Sequence, residues 1–244
     1  MNGNKRVAVV TGGSRGIGRA VAERLAADGQ AVAVAYGSDD TAARETVLAI
    51  EKAGGEAVAV RADVADEEAV RALFDAAEHQ YGGVDVVVNA AGIMRLSPLA
   101  ELELDVLDRI HRTNVRGTFV VNREAARRVR SGGAIVNFST TVTRLSLPAY
   151  AAYAASKAAV EAIGPILAKE LRGRDITVNA VAPGPTATEL FLDGKSEEQV
   201  RQIAGLSPMG RLGTPEDIAE VVSSLAGPAR WINGQTVYVN GGAA

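Results

Sequence analysis

The chain has 244 residues, 47% hydrophobic and 23% charged, the balance of a globular protein long enough to bury a sizeable core. Twenty-six Lys and Arg against 29 Asp and Glu leave a net charge of −3, so no basic excess exists to hold nucleic acid through its phosphates. The absence of cysteine removes disulfides, thiolate nucleophiles and Cys-ligated metals, and two histidines, His79 and His111, are too few for a His-based site, so no metal is expected.

The opening residues 1–6 are polar and the apolar run behind them ends at Val10, too short for a signal peptide. No later stretch has the length of a membrane span, so the expectation is a soluble, cytoplasmic chain that does not bind membranes. Short β-branched runs then alternate with longer helical patterns. Strands are predicted over 7–11, 31–36, 57–61, 84–89, 134–139, 177–182 and 236–240. Between them helices are predicted over 16–28, 41–53, 67–81, from about 102, over 150–172 and over 215–225. Such alternation marks parallel βαβ units with right-handed crossovers. The strands are nearly continuous in apolar residues (Val7-Ala8-Val9-Val10, Val86-Val87-Val88), so both sheet faces should be covered. The fold expected is α/β: one domain over 1–244, a doubly wound seven-stranded parallel sheet with helices on both faces. Residues 185–208, rich in proline and glycine with a short amphipathic piece at 197–204, interrupt the alternation and read as a lid over a ligand site.

The first strand ends in Thr11-Gly12-Gly13-Ser14-Arg15-Gly16-Ile17-Gly18, with a helix starting at once. Glycines at 12, 16 and 18 suit a turn that needs positive φ and close approach of backbone to ligand, and the bare amides of the helix N-terminus then face an anion. Gly12, Ser14, Arg15, Gly16, Ile17 and Gly18 are therefore candidate phosphate contacts, although the spacing is TGxxxGxG rather than the common GxGxxG. An NAD site usually ends its second strand in Asp or Glu, which accepts from the ribose 2′-hydroxyl. Here that strand ends in Tyr36-Gly37-Ser38, while Asp39 and Asp40 look like the start of the next helix. A missing carboxylate spares a 2′-phosphate from repulsion, and Arg15 with Ser38 could hold one beside Tyr36. The cofactor expected is NADP(H).

Tyr153 and Lys157 stand four residues apart and share a helix face. A free tyrosine titrates near 10, too high for acid–base work at neutral pH. A neighbouring ammonium, joined by the positive ring of an oxidised nicotinamide, should bring the phenol down toward the operating range.

These motifs, in this order, make the whole chain resemble the short-chain dehydrogenases/reductases, nearest to the 3-oxoacyl-reductase-like branch over 138–157 and 210–242. The resemblance rests on the glycine turn, Asp63-Val64, Asn89-Ala90-Ala91-Gly92, Asn114, Tyr153 with Lys157, Pro183-Gly184 and Gly241-Gly242. It implies that Tyr153 is the general acid protonating a carbonyl oxygen, that Lys157 bonds the nicotinamide ribose, and that Asn114 holds a water relaying protons from Lys157. It further implies adenine contacts from Asp63 and Val64, a ribose contact from Asn89, Ala90 and Gly92, and carboxamide and phosphate contacts from Pro183, Gly184, Thr186 and Thr188. The family's carbonyl-polarising serine falls thirteen residues before the tyrosine, on Thr140, with Ser139 as the alternative hydroxyl. Many members carry a second Asn where Ala90 stands here.

The function expected is NADP(H)-dependent reduction of a ketone or 3-oxoacyl carbonyl to a secondary alcohol. The alternatives are an NAD-linked alcohol or polyol dehydrogenase and a non-catalytic NADP(H)-sensing protein. Leu145, Leu147, Tyr150, Leu190, Phe191 and Leu192 give an apolar substrate wall. The resemblance implies a homotetramer packed through helices near 102–130 and 150–172. Arg127 and Arg128 read as surface or interface groups, and Trp231 as a packing or subunit-contact residue.

Overall fold

Seven strands form one parallel sheet: β1 (Val7–Thr11), β2 (Ala31–Tyr36), β3 (Glu56–Arg61), β4 (Val84–Asn89), β5 (Val129–Phe138), β6 (Thr177–Pro183) and β7 (Thr236–Val239). The structure is a computed structural model that describes residues 5–244; the polar opening at residues 1–4 lies outside the described residues. Helices α1 (Gly16–Ala27), α2 (Asp40–Lys52) and α3 (Glu67–Tyr81) alternate with the first four strands. Then come α4 (Leu104–Ile110), a π-helical turn (His111–Arg116), α5 (Gly117–Arg128), α6 (Val142–Leu145), α7 (Ala151–Glu170), α8 (Glu189–Leu192), α9 (Glu197–Ala204) and α10 (Pro215–Ala226).

The strand order is β3-β2-β1-β4-β5-β6-β7, so the chain winds outward from β1 in one direction and from β4 in the other. Where the winding reverses, crossovers leave on opposite faces and a crevice opens beyond the carboxyl ends of β1 and β4. Alternating strand residues feed two cores. Val7, Val9, Val87 and Ile135 pack with Leu73 and Phe74 of α3, Val121 of α5 and Leu167 of α7. Ala8, Val10, Val86 and Val136 pack on the other face with Val21 and Leu25 of α1, Ile50 of α2 and Ile218 and Val222 of α10. Asp39 caps α2, its carboxylate accepting from Ala42 N at 3.0 Å, which explains why that acid is unavailable to the end of β2.

Two elements differ from the sequence expectation. β5 begins at Val129 rather than 134, because Val84 pairs with Val129 and Val86 with Ala134, leaving residues 130–133 bulged against Asp85. Gly133 is a glycine because a Cβ there would stand 2.5 Å from Asp85 O. The helix predicted from about 102 is divided by the π turn, an insertion that recurs at functional sites. Arg128 is a structural residue rather than a surface group: its guanidinium reaches Glu78 and Asp75 and lies over the Phe74 ring, tying α5 to α3. Trp231 is 100% exposed, so it packs against nothing among the described residues. No helix among the described residues is long and apolar enough to cross a membrane.

Candidate active site

At the β1–α1 turn the chain is shaped by missing side chains. Gly12 has φ +65 and Gly16 φ +53. A Cβ on Gly12 would lie 2.9 Å from Ala91 Cα and N, and one on Gly18 only 2.1 Å from Gly12 O. These glycines let the turn fold tightly against the strand beside it and leave the N-terminal amides of α1 open. Thr11 Oγ1 donates to Asn89 Oδ1 at 2.9 Å and accepts from Ala91 N at 3.2 Å, which holds the 89–92 segment beside the turn. Asn89 is buried, and its Nδ2 has no partner among the described residues. Thr188, the N-cap of α8, reaches the turn from the far side, its Cγ2 3.4 Å from where a Gly16 Cβ would stand. Thr186 is buried and donates to Gly184 O at 2.9 Å, while a Cβ on Gly184 would lie 2.7 Å from Asn240 Cβ.

Ser14 is buried and its carbonyl accepts from Thr46 of α2, whereas Arg15 is exposed at the mouth of the turn. Tyr36 closes β2, and burial with a hydrogen bond to Asp40 pushes its phenol above the ordinary value. A residue missed in the sequence stands here. Arg61 ends β3 as the register partner of Tyr36 and donates from Nε to Gly37 O at 3.1 Å, adding an exposed cation next to Ser38. Strand order alone signals it, since β3 is the neighbour of β2. On the other flank Val64 is buried against Gly117. Burial works to raise the Asp63 carboxyl, but the Arg112 guanidinium at 2.7 Å and the Ala65 amide outweigh it and hold the acid below its usual value. A glycine cradle at a helix N-terminus, an orphaned buried amide on Asn89 and the Arg61 guanidinium at a strand end that carries no acid at 36–38 fit a dinucleotide with a 2′-phosphate.

Across the crevice the site is made of buried polar side chains. Lys157 is 5% exposed, and its Nζ donates to Phe138 O at 2.8 Å. A Gly92 Cβ would stand 3.3 Å from both Lys157 Nζ and Asn114 Oδ1, so these two groups converge under Gly92. The Asn114 amide is largely spent: Oδ1 accepts from Ile93 N at 2.9 Å, and Nδ2 donates to Ile93 O at 2.9 Å and to Ser156 Oγ at 3.0 Å. It braces the loop after β4 against α7, and only one Oδ1 lone pair remains for a water.

Tyr153 lies one helical turn before Lys157, with Nζ 5.9 Å from its ring centroid. The expected lowering joins Lys157 with a nicotinamide ring, and Lys157 alone does not produce it. The phenol is not lowered: burial pushes it up to about 12, Tyr150 adds to the effect, and the Thr140 hydroxyl works against it. Lys157 is itself lowered by burial, to about 8. Desolvation penalises both charged forms, and in the protein alone it outweighs the attraction expected between them. The choice of hydroxyl is sharper than in the sequence. Thr140 faces the Tyr153 phenol, whereas Ser139 turns away and donates to Glu161 Oε1 at 2.5 Å.

At the N-terminus of α7 a cavity of about 490 Å³ is lined by Pro98, Leu99, Leu147, Pro148, Tyr150 and Ala154. Ser97 N donates to Ala149 O at 3.0 Å and joins its two walls. Ala149 holds φ +69 in this loop, a left-handed conformation strained for an alanine. Of the expected apolar wall, Leu147, Leu190 and Leu192 are largely exposed, and Phe191 carries the Lys195 ammonium 4.6 Å from its ring centroid.

Residues 12–244 match the family described as Enoyl-(Acyl carrier protein) reductase. The chain is 45% identical to a short-chain type dehydrogenase/reductase of Picea abies, over 97% of this chain and 92% of that protein. It is 42% identical to an NADPH-dependent aldehyde reductase-like protein, chloroplastic, of Arabidopsis thaliana, over 97% and 93% of the two chains. A short chain dehydrogenase from Burkholderia cenocepacia, solved in complex with NADP, superposes with a TM-score of 0.91 at 40% identity and covers 98% of each chain. The chain belongs to the short-chain dehydrogenase/reductase family of oxidoreductases.

Proposed function

We propose that the protein uses NADPH to reduce an apolar ketone to a secondary alcohol, with Tyr153 as the proton donor. The observation that carries this reading is the meeting of Thr140, Tyr153 and Lys157, with the apolar cavity at the start of the helix that carries Tyr153. Preference for the phosphorylated cofactor is supported by the lack of an acid at 36–38, by Arg61 at that strand end and Arg15 in the glycine turn, and by the NADP(H) named for the Arabidopsis and Burkholderia proteins.

Bound NADPH supplies the hydride. Thr140 donates to the substrate oxygen, and Tyr153 donates its proton to that oxygen as negative charge builds there. In the reducing direction the phenol gives up its proton as charge builds on the substrate oxygen, and the Lys157 ammonium near its ring favours the phenolate left behind. Lys157 has two N–H groups left beyond the Phe138 carbonyl, for the nicotinamide ribose and for a relay water on the free lone pair of Asn114. The turn residues 12–18 take the pyrophosphate, Asp63 and Val64 the adenine, residues 89–92 the adenosine ribose, and Pro183, Gly184, Thr186 and Thr188 the carboxamide end. Residues 185–208 act as a lid, and their apolar Leu190, Leu192 and Leu206 suit an apolar substrate. Leu104, Phe119 and Ile166 stand exposed on α4, α5 and α7, which supports packing of those helices in a homotetramer. The site of action we infer is the cytoplasm.

Initial rates over a panel of ketones, β-ketoesters and aldehydes with NADPH and with NADH test this reading. It predicts turnover of apolar ketones and a kcat/KM at least tenfold higher with NADPH. A clear NADH preference contradicts the cofactor assignment, and tight NADPH binding without turnover of any carbonyl contradicts the enzyme.

A further inference from the structure

Glu161 lies on α7, four residues beyond Lys157 and eight beyond Tyr153, hence on the same helix face. Neither the cofactor contacts nor the proton transfer uses it. Its Oε1 accepts from Ser139 Oγ at 2.5 Å and sits 3.0 Å from Thr143 Oγ1, which also lies 2.9 Å from Thr140 O. From β7 the Tyr238 hydroxyl approaches the same carboxylate at 3.4 Å, and the Arg144 guanidinium covers the Tyr238 ring at 3.5 Å. The carboxylate thus lies among hydroxyls from three separate elements; the bond from Ser139 is charge-assisted and of the stronger kind, while the single Thr143 proton goes either to Glu161 or to Thr140 O.

The two nearest hydroxyls flank Thr140, one directly before it and one three residues after. The backbone around them is pinned as well, since Ser139 N donates to Val181 O and Thr141 N to Pro183 O. A threonine is stiff at χ1, so the direction of its hydroxyl follows the position of its backbone.

We infer that Glu161 is a positioning residue: by holding Ser139 and Thr143 it fixes the Thr140 hydroxyl relative to Tyr153, which rides on the same helix. The clamp makes the Thr140–Tyr153 spacing an internal dimension of α7 and its attached loop. It also occupies Ser139, which leaves Thr140 as the hydroxyl free to meet a carbonyl. The inference rests on the proposed role of Thr140. A misplacement of 1 Å at a reacting group costs on the order of a hundredfold, so a partial loosening should cost about tenfold.

The test is a double-mutant cycle. Glu161→Leu and Glu161→Gln are each measured in the natural chain and in Thr140→Ala, reading kcat for ketone reduction, NADPH Kd and melting temperature. Glu161→Leu should lower kcat about tenfold while NADPH Kd stays within about twofold, and Glu161→Gln, which keeps an acceptor oxygen, should lose less. In the Thr140→Ala background the same changes should move kcat by less than about twofold, because the group they position is gone. An equal loss in both backgrounds, or no loss in either, overturns the inference. Should Glu161→Leu fail to fold, Glu161→Gln carries the same comparison. If Thr140→Ala alone leaves kcat unchanged, the proposed role of Thr140 falls, and this inference with it.

Discussion

The two sides of the crevice are built by opposite means. On the β1–α1 side the working parts are backbone amides and exposed cations, and the decisive feature is the side chain that is absent: a Cβ on Gly18 would collide with Gly12 O. On the β5–α7 side the working parts are side chains taken out of water, and burial moves Tyr153 up to about 12 and Lys157 down to about 8. One side can hold an anion without changing any proton equilibrium of its own. The other stores unfavourable desolvation, which a positive charge or a developing oxyanion can relieve. Binding and chemistry should therefore be separable by mutation.

After Tyr153 itself, the largest separation is expected at Thr140. Replacing it by Ala should lower kcat by about a hundredfold or more, as loss of one oxyanion donor does, with NADPH affinity unchanged. Ser139→Ala should cost far less, because Ser139 faces Glu161. Equal losses in steady-state assays would mean that the two hydroxyls share the work.

Next comes Lys157→Met, read by denaturant unfolding at a series of pH values. Burial lowers the Lys157 ammonium from 10.5 to about 8, so between these values the unfolded chain binds a proton that the folded chain does not. Stability of the natural chain should therefore rise with pH across that window, whereas Met has no proton to lose. The variant's stability relative to the natural chain should fall by roughly 3 kcal/mol between pH 7 and pH 11. A difference that does not vary with pH would place the ammonium in water.

The smallest effect belongs to the binding side. Arg61→Ala should weaken NADPH about tenfold, the loss of one charge-assisted bond, while leaving NADH within about twofold. Equal weakening of both cofactors, measured by fluorescence titration, would remove Arg61 from the 2′-phosphate.

Much of the fold was legible because its signals are local. α3 and β4 have the bounds that periodicity predicts, and the glycine spacing at 12, 16 and 18 announces a turn whichever way the rest packs. What escaped depends on partners distant in sequence. The β5 bulge answers to Asp85, and the π turn brings Asn114 to Ile93 and Ser156. Arg61 becomes a candidate only once β3 lies beside β2. The Tyr153–Lys157 spacing shows that the two groups are near, but the outcome for their protons depends on how much water is excluded, a property of the packed α7–β5 interface.

The central claim is that the Tyr153 phenol supplies the proton. Single-turnover reduction of a ketone by enzyme-bound NADPH, in the natural chain and in Tyr153→Phe, tests it most directly. The predicted result is a loss of about a thousandfold in the rate of NADPH consumption, with NADPH Kd unchanged. A Tyr153→Phe enzyme that still turned over within about fivefold of the natural rate would contradict that claim, because no phenol would remain at this position to give the proton.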